Sequence, residues 1–129
     1  MQPALAANIQ EARIQQQLYL LAETVAQEDG FGPIVEADVT SGHTVTLGIT
    51  TTVEQEKLEV SVLGSTDGEH WLDQPLADFR QKFYCGRYEL PLDPAAFPGI
   101  RHLRVKWRMR RWGGVSPKEP MFGFYVAIA

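Results

Sequence analysis

One stretch, residues 58–71, constrains the fold more than any other part of the chain. Its first half alternates, with apolar side chains at Leu58, Val60 and Val62 and polar ones at the positions between them. A period of two is what a β-strand with one buried face requires. The stretch therefore predicts a core strand at its beginning.

The second half of this stretch, Ser-Thr-Asp-Gly-Glu-His-Trp, is typical of a tight turn. Asp67 and Gly68 suit backbone positions with φ > 0, and the side chains of Ser65 and Asp67 can accept hydrogen bonds from nearby N–H groups. Trp71 then carries a large apolar ring, which we expect to return the chain to the core.

Short alternating segments separated by turn signals fill the rest of the chain beyond residue 17. Residues 18–25 favour a strand, although a helix through Val25 competes with it. Residues 28–33 should break any regular element, and Pro91, Pro94 and Pro98 should hold an irregular crossover. Further strands are predicted at residues 34–38, 44–50, 79–84, 87–90, 101–112 and 122–128.

This pattern predicts an all-β fold, an antiparallel β-sandwich of the jelly-roll kind. A chain of 129 residues is long enough for one continuous core, so we expect one sandwich domain over residues 17–129. Residues 1–16 are rich in helix formers and predict a short helix or a loose arm. The residues expected in the core are Leu47, Ile49, Val60, Val62, Trp71, Leu103, Val105, Trp107, Phe124 and Val126.

The composition, with 44% hydrophobic and 22% charged residues, is that of an ordinary soluble protein. No apolar run is long enough to span a bilayer, and no signal peptide is evident, so we expect a cytoplasmic or virion-associated protein. The single cysteine, Cys85, cannot form an internal disulfide and is predicted to be a buried small hydrophobe.

A catalytic interpretation of Ser65, Asp67 and His70 is weak, because all three lie within six residues on one turn. A triad needs its members to converge from different elements. The histidines show no metal-ligand spacing, and no glycine-rich phosphate loop is present. We therefore predict no enzymatic activity, no metal and no cofactor.

The most informative chemical feature is a row of basic residues on the strand predicted at 101–112. The row consists of Arg104, Lys106, Arg108 and Arg110. Like charges at ~7 Å spacing repel one another, so an acidic group should lie beside them. The candidates are a neighbouring strand bearing Glu54, Glu56 or Glu59, an acidic partner protein, a second copy of the chain, or nucleic-acid phosphate. The acidic pI of about 5.3 makes nucleic acid the weaker choice.

Charge is distributed unevenly along the chain. Residues 1–79 carry two basic residues against thirteen acidic ones, a net charge of −11, whereas residues 80–129 carry ten against three, a net charge of +7. The two parts can neutralise each other within one molecule, or lie on opposite poles and drive head-to-tail association.

Residues 65–71 resemble the Ser-x-Asp-Gly-x-x-Trp hairpin of galactose-binding-like (discoidin-type) jelly rolls. Residues 97–105, Phe-Pro-Gly-Ile-Arg-His-Leu-Arg-Val, are similar to a later strand of that group. Close variants of the hairpin occur in fibronectin-like sandwiches and in small sandwich proteins encoded among phage structural genes. The resemblance implies binding or assembly rather than catalysis.

Discoidin-type domains bind glycans or lipid head groups through loops at one end of the sandwich, so the resemblance implies a loop site here too. Trp112 with Gly113 and Gly114 is the aromatic candidate for a sugar contact, and its alternative role is that of a core or interface tryptophan. This chain lacks the usual flanking disulfide of such domains.

These observations predict a structural or accessory subunit that assembles with copies of itself or with a larger partner. The expected interaction residues are the basic row and Trp112, with Phe31 and the prolines of residues 113–120 as an apolar centre. The alternative is a carbohydrate-binding module that uses the loops at one end of the sandwich.

Overall fold

The computed structural model describes residues 17–39, 42–53, 56–111 and 121–129, which form nine strands and one short 3-10 turn at Pro94–Ala96. Each long strand coincides with a segment that the sequence pattern predicted to be a strand. The strands are β1 (Leu18–Ala26), β2 (Gly30–Phe31), β3 (Val35–Glu36), β4 (His43–Thr52), β5 (Glu56–Ser65), β6 (Ala77–Lys82), β7 (Gly86–Leu92), β8 (His102–Arg111) and β9 (Phe122–Ile128).

The strands form two antiparallel sheets that pack against each other. The four-stranded sheet has the order β1-β9-β4-β7. The five-stranded sheet has the order β2-β8-β5-β6, with β3 also paired to β8. This architecture confirms the predicted all-β sandwich, and the strand at β1 excludes the helix that competed with it. Residues 1–16, predicted as an arm or helix, lie outside the described residues.

The core lies between the two sheets and is built from their alternating inward side chains. Eight of the ten predicted core residues are buried: Leu47, Ile49, Val60, Val62, Leu103, Val105, Phe124 and Val126. They come from β4 and β9 of one sheet and from β5 and β8 of the other. Burial of this apolar surface is the main favourable contribution to folding.

The prediction that Trp71 lies in the core is wrong. Trp71 is half-buried and outside the core cluster, and its backbone pairs with Ser65 in an isolated bridge. Opposed residues of an antiparallel pair point to the same side of a sheet. Because Val62 faces the core, Ser65 lies on the opposite face of β5, and Trp71 follows it away from the space between the sheets.

The side chain of Trp107 points toward the core but lies at the edge of it. Its ring is half-buried and meets the ring of Phe124 edge-on, with 5.5 Å between the ring centroids. The indole N–H donates to the carbonyl of Glu28 at 2.9 Å. A Cβ on Gly30 would lie 2.6 Å from this ring, so glycine at that position lets β2 pass close to it.

Three further predictions are corrected by the structure. Gly30 and Phe31 pair with β8 as a short edge strand, although residues 28–33 were expected to be irregular. Pro91 lies inside β7 opposite Thr44, and it is tolerated because β7 is an edge strand whose outer side needs no hydrogen-bond donor. Cys85 is exposed, because it precedes β7 in the connection from one sheet to the other.

Candidate interaction surface

The basic row lies on the outer face of the five-stranded sheet. On β8, Leu103 and Val105 point into the core, so the alternate residues Arg104, Lys106 and Arg108 point outward. The side chains opposite them on β5 are Leu63, Ser61 and Glu59 respectively, and Lys57 is opposite Arg110. One acidic residue of β5 therefore faces four basic residues of β8.

Part of the row is neutralised within the molecule. The Arg110 guanidinium lies 3.1 Å from a carboxylate oxygen of Asp29, which immediately precedes β2. The same carboxylate accepts the backbone N–H of Met109 at 2.7 Å. That backbone hydrogen bond, helped by Arg110, lowers the pKa of Asp29 although partial burial opposes the shift.

On β5, the acidic residue Glu56 forms an ion pair. Its partner is Arg111, which does not belong to the predicted basic row. The guanidinium Nε of Arg111 donates to Glu56 at 2.8 Å, and the Glu56 side chain is 1% exposed. Glu59 lies opposite Arg108 in register. Among the described residues, however, no carboxylate oxygen lies within 4.0 Å of a side-chain nitrogen of Arg104, Lys106 or Arg108.

An exposed aromatic ring stands beside two of these basic residues. Phe31 is 52% exposed, with the Arg104 guanidinium 4.7 Å and the Lys106 ammonium 5.9 Å from its ring centroid. Arg104 is held in place because its Nε donates to the carbonyl of Gly32 at 2.9 Å. We call Phe31, Arg104 and Lys106 the aromatic knob, and the knob together with Arg108 the basic face.

The residues of the 65–70 turn form a local hydrogen-bond network. The Ser65 hydroxyl accepts the N–H of Gly68 at 2.9 Å and contacts the carbonyl of His70 at 2.6 Å. One Asp67 oxygen accepts the N–H groups of Glu69 and His70, both at 2.8 Å, and the other oxygen meets the His70 ring at 2.7 Å. The N–H groups of His70 and then of Glu69 lower the pKa of Asp67 strongly.

This geometry gives the turn residues a structural explanation. Gly68 has φ of 82°, a conformation that favours glycine. The imidazole of His70 is held by Asp67, and the Ser65 hydroxyl is engaged by backbone groups. In a catalytic triad the histidine is the base of the serine hydroxyl, and the aspartate orients the histidine. In this turn Asp67 lies between His70 and Ser65, so the histidine is not placed as that base.

A cleft of about 900 Å³ lies at the end of the sandwich where β8 begins. Its lining combines buried Val39 and Ile100 and half-buried Phe97 with the exposed carboxylates Glu36 and Asp38. Arg101 is exposed and also lines the cleft, so the interior is apolar and the rim carries two acidic residues and one arginine.

Two segments distant in sequence form this cleft, residues 36–39 and residues 95–102. They meet because β3 pairs with β8 and because the N–H of Ala37 donates to the carbonyl of Arg101 at 3.0 Å. The Nε2 atom of His102 lies 3.5 Å from a Glu36 carboxylate oxygen, and its Nδ1 atom is buried with no hydrogen-bond partner among the described residues. Sequence reasoning missed the cleft because it forms only where the two segments meet, and no pattern in either segment indicates the other.

The described part of the chain contains no group of three or more histidine, cysteine, aspartate or glutamate side chains arranged to hold a metal ion. No helix among those residues is long and apolar enough to cross a membrane. Trp112, Gly113 and Gly114, proposed from the sequence as a sugar contact, lie outside the described residues.

Comparisons of the chain with models of known protein families, with curated proteins and with solved structures find no match. The class that the structure defines is an all-β protein of two packed antiparallel sheets. The more specific resemblance to galactose-binding-like and phage structural proteins rests on the sequence motifs alone.

Proposed function

We propose that this protein is a non-enzymatic structural or accessory subunit that assembles through its basic face with an acidic protein surface. The observation that carries the proposal is the environment of Arg104, Lys106 and Arg108. Two of these basic side chains flank the exposed ring of Phe31, and none of the three has a carboxylate oxygen of a described residue within 4.0 Å of its side-chain nitrogens.

The composition of this face is suited to protein recognition. An aromatic ring provides apolar area that can be desolvated on binding, whereas exposed charges mainly steer the encounter and set the register. Arginine and aromatic side chains are enriched at protein interfaces. An acidic partner would also relieve the repulsion between neighbouring cations on β8.

A double charge reversal tests this proposal. Lys106→Glu with Arg108→Glu should convert an associated species into a monomer, since it reverses the charge of the face and leaves both partners of the Asp29–Arg110 ion pair in place. The matched control is Arg80→Glu with Arg87→Glu, two exposed positions on β6 and β7 that change the net charge by the same amount. The measurement is the sedimentation coefficient of the purified protein and its native size in cell extract.

Association of the wild-type protein should weaken as salt rises above about 0.15 M, where the screening length is about 8 Å. The charge-reversed variant should remain folded with a modest fall in melting temperature, because both side chains are on the solvent side of β8 but Arg108→Glu places an acid opposite Glu59 and near Asp29. A wild-type protein that is monomeric at every concentration, and of monomer size in extract, would contradict the proposal.

A carbohydrate-binding module is a second candidate, and the cleft is the observation that favours it. The cleft lies at one end of the sandwich and offers an aromatic ring, Phe97, beside the polar groups of Glu36 and His102. Aromatic rings and polar groups in one cleft suit a sugar. The galactose-binding-like hairpin at residues 65–71 is consistent with this hypothesis.

A glycan array distinguishes the two candidates. Saturable binding to one class of glycan that is lost in Phe97→Ala, with the fold retained by circular dichroism, would favour the carbohydrate-binding module. The control is Phe31→Ala, an aromatic change on the basic face. Absence of binding to any glycan would remove this candidate.

A further inference from the structure

We propose that the partner of the basic face is a second copy of this chain, and that the aromatic knob of one copy inserts into the cleft of the other. This inference rests on the proposed function, since it uses the same face, and it adds the identity of the partner and the position of the contact.

The knob has the form of an interface anchor. Phe31 leaves half of its surface exposed while two cations flank its ring. β2 fixes the backbone of Phe31, because Gly30 and Phe31 pair with Trp107 and Lys106, and the N–H of Gly32 donates to the carbonyl of Val105 at 2.8 Å. An anchor whose backbone is already ordered loses less conformational entropy on binding.

The cleft has the complementary form. Its volume of about 900 Å³ has room for an aromatic ring, and Val39, Phe97 and Ile100 give it an apolar interior. Glu36 and Asp38 are exposed and line the same cleft, so the cleft carries acidic charge that can attract the cations flanking an inserted ring. An aromatic residue inserted in a pocket and surrounded by polar contacts is the usual arrangement of a binding hot spot.

Charge favours the same pairing over a wider area. The turn beside the cleft carries the exposed acids Asp67 and Glu69, and Gly68 of that turn lies over the ring of His102. Arg101 also lines the cleft and is basic, but the acidic residues of the cleft and of the turn outnumber it. The cleft end of one copy is therefore acidic where the basic face of the other is cationic, and such complementarity gives specificity and rapid association.

The contact must be made between molecules. Phe31 is paired opposite Lys106, whereas the cleft begins at His102, four residues away along β8 and thus about 13 Å from it. The pairing of β2 with β8 prevents the knob from reaching the cleft of its own chain. A second copy supplies a cleft without any change in the fold.

A complementary charge exchange tests the contact. Lys106→Glu puts an acid on the knob, and Glu36→Lys puts a base on the cleft rim. Each variant alone should self-associate at least tenfold more weakly than the wild type. An equimolar mixture should recover association to within about threefold of the wild type, because both knob–cleft pairs in the mixture again join unlike charges. The measurement is the weight-average mass from sedimentation equilibrium as a function of concentration.

Two uncharged variants test the apolar part. Phe31→Ala removes the anchor, and Ala95→Trp adds bulk at an exposed position of the cleft lining. Both should weaken association at least tenfold at all salt concentrations, with unchanged circular dichroism. Glu89→Lys, an exposed acid on β7 of the other sheet, is the control for Glu36→Lys and should leave association as in the wild type.

Three results would overturn the inference: a wild-type protein that stays monomeric, single variants that associate normally, or a mixture that does not recover. The proposed function can be judged separately. If reversal of Lys106 and Arg108 reduces the native size in extract while Glu36→Lys and Ala95→Trp do not, the partner is another protein and only the second-copy assignment fails. If that reversal changes nothing, the proposed function fails as well.

Discussion

The ion pair between Glu56 and Arg111 provides a stringent test of how charge is balanced in this sandwich. Glu56 begins β5 and is 1% exposed, whereas one third of the Arg111 side chain remains exposed. One Glu56 oxygen accepts a hydrogen bond from Arg111 Nε at 2.8 Å, and the other oxygen, Oε2, is buried with no hydrogen-bond partner in the part of the chain that the structure describes. Removing the arginine therefore leaves a buried carboxylate, whereas removing the glutamate leaves an arginine that water can reach.

This asymmetry predicts different costs for the two single substitutions. Arg111→Met should lower the free energy of unfolding by about 3–5 kcal/mol, the usual loss when one partner of a buried pair is removed. Glu56→Leu should cost less, about 1–2 kcal/mol, because the remaining guanidinium is partly hydrated. The double variant should be more stable than Arg111→Met alone, since an apolar pair of similar volume needs no compensation for buried charge.

Urea unfolding followed by tryptophan fluorescence, combined in a double-mutant cycle, measures these quantities. The control is Arg87→Met, which removes an exposed arginine 3.7 Å from Glu89 and should cost less than about 1 kcal/mol. A cycle in which Arg111→Met costs no more than Glu56→Leu, or in which the coupling is below about 0.5 kcal/mol, would refute the reasoning.

Three other predictions address the core margin, the acid response and the thiol. Trp107→Ala should cost about 3 kcal/mol in urea unfolding, at the low end for a tryptophan because the ring is half-buried; a loss below about 1 kcal/mol would mean that the ring does not contribute to the core. The pKa of Asp29 is lowered from 3.8, so its contribution to stability is present above about pH 4 and is lost as pH falls through the folded-state value. In the Asp29→Asn variant, the free energy of unfolding should therefore fall less than in the wild type as the pH is lowered. Urea unfolding at several acidic pH values measures this, and a pH dependence equal to that of the wild type would contradict it. Cys85 is exposed, so one equivalent of a thiol reagent should react with the native protein, and reaction only after unfolding would show that the thiol is buried.

The sequence predicted most of the strands because a half-buried strand leaves a local signature. Val45, Leu47 and Ile49 alternate with threonine and glycine in β4, and this period alone identifies the inward face. The turn at residues 65–70 could equally be predicted from the sequence, since its hydrogen bonds join residues at most five positions apart.

The candidate site was only partly predictable. The sequence located the basic row, but the partner of Arg110 proved to be Asp29, a residue 81 positions away that no local pattern connects to it. The aromatic knob exists because β2 pairs with β8, and β2 is too short to show an alternating pattern.

The sequence by itself determined the fold class, the inward faces of β4, β5, β8 and β9 and the chemistry of the main turn, because each of these depends on neighbouring residues. Only the tertiary structure decided which segments meet. Pairing between distant strands brought Phe31 beside two cations and joined residues 36–39 to residues 95–102 around the cleft, and the bridge between Ser65 and Trp71 placed Trp71 outside the core. Strand order and register follow from burial of two whole sheets against each other, and that free energy belongs to no single stretch of the chain.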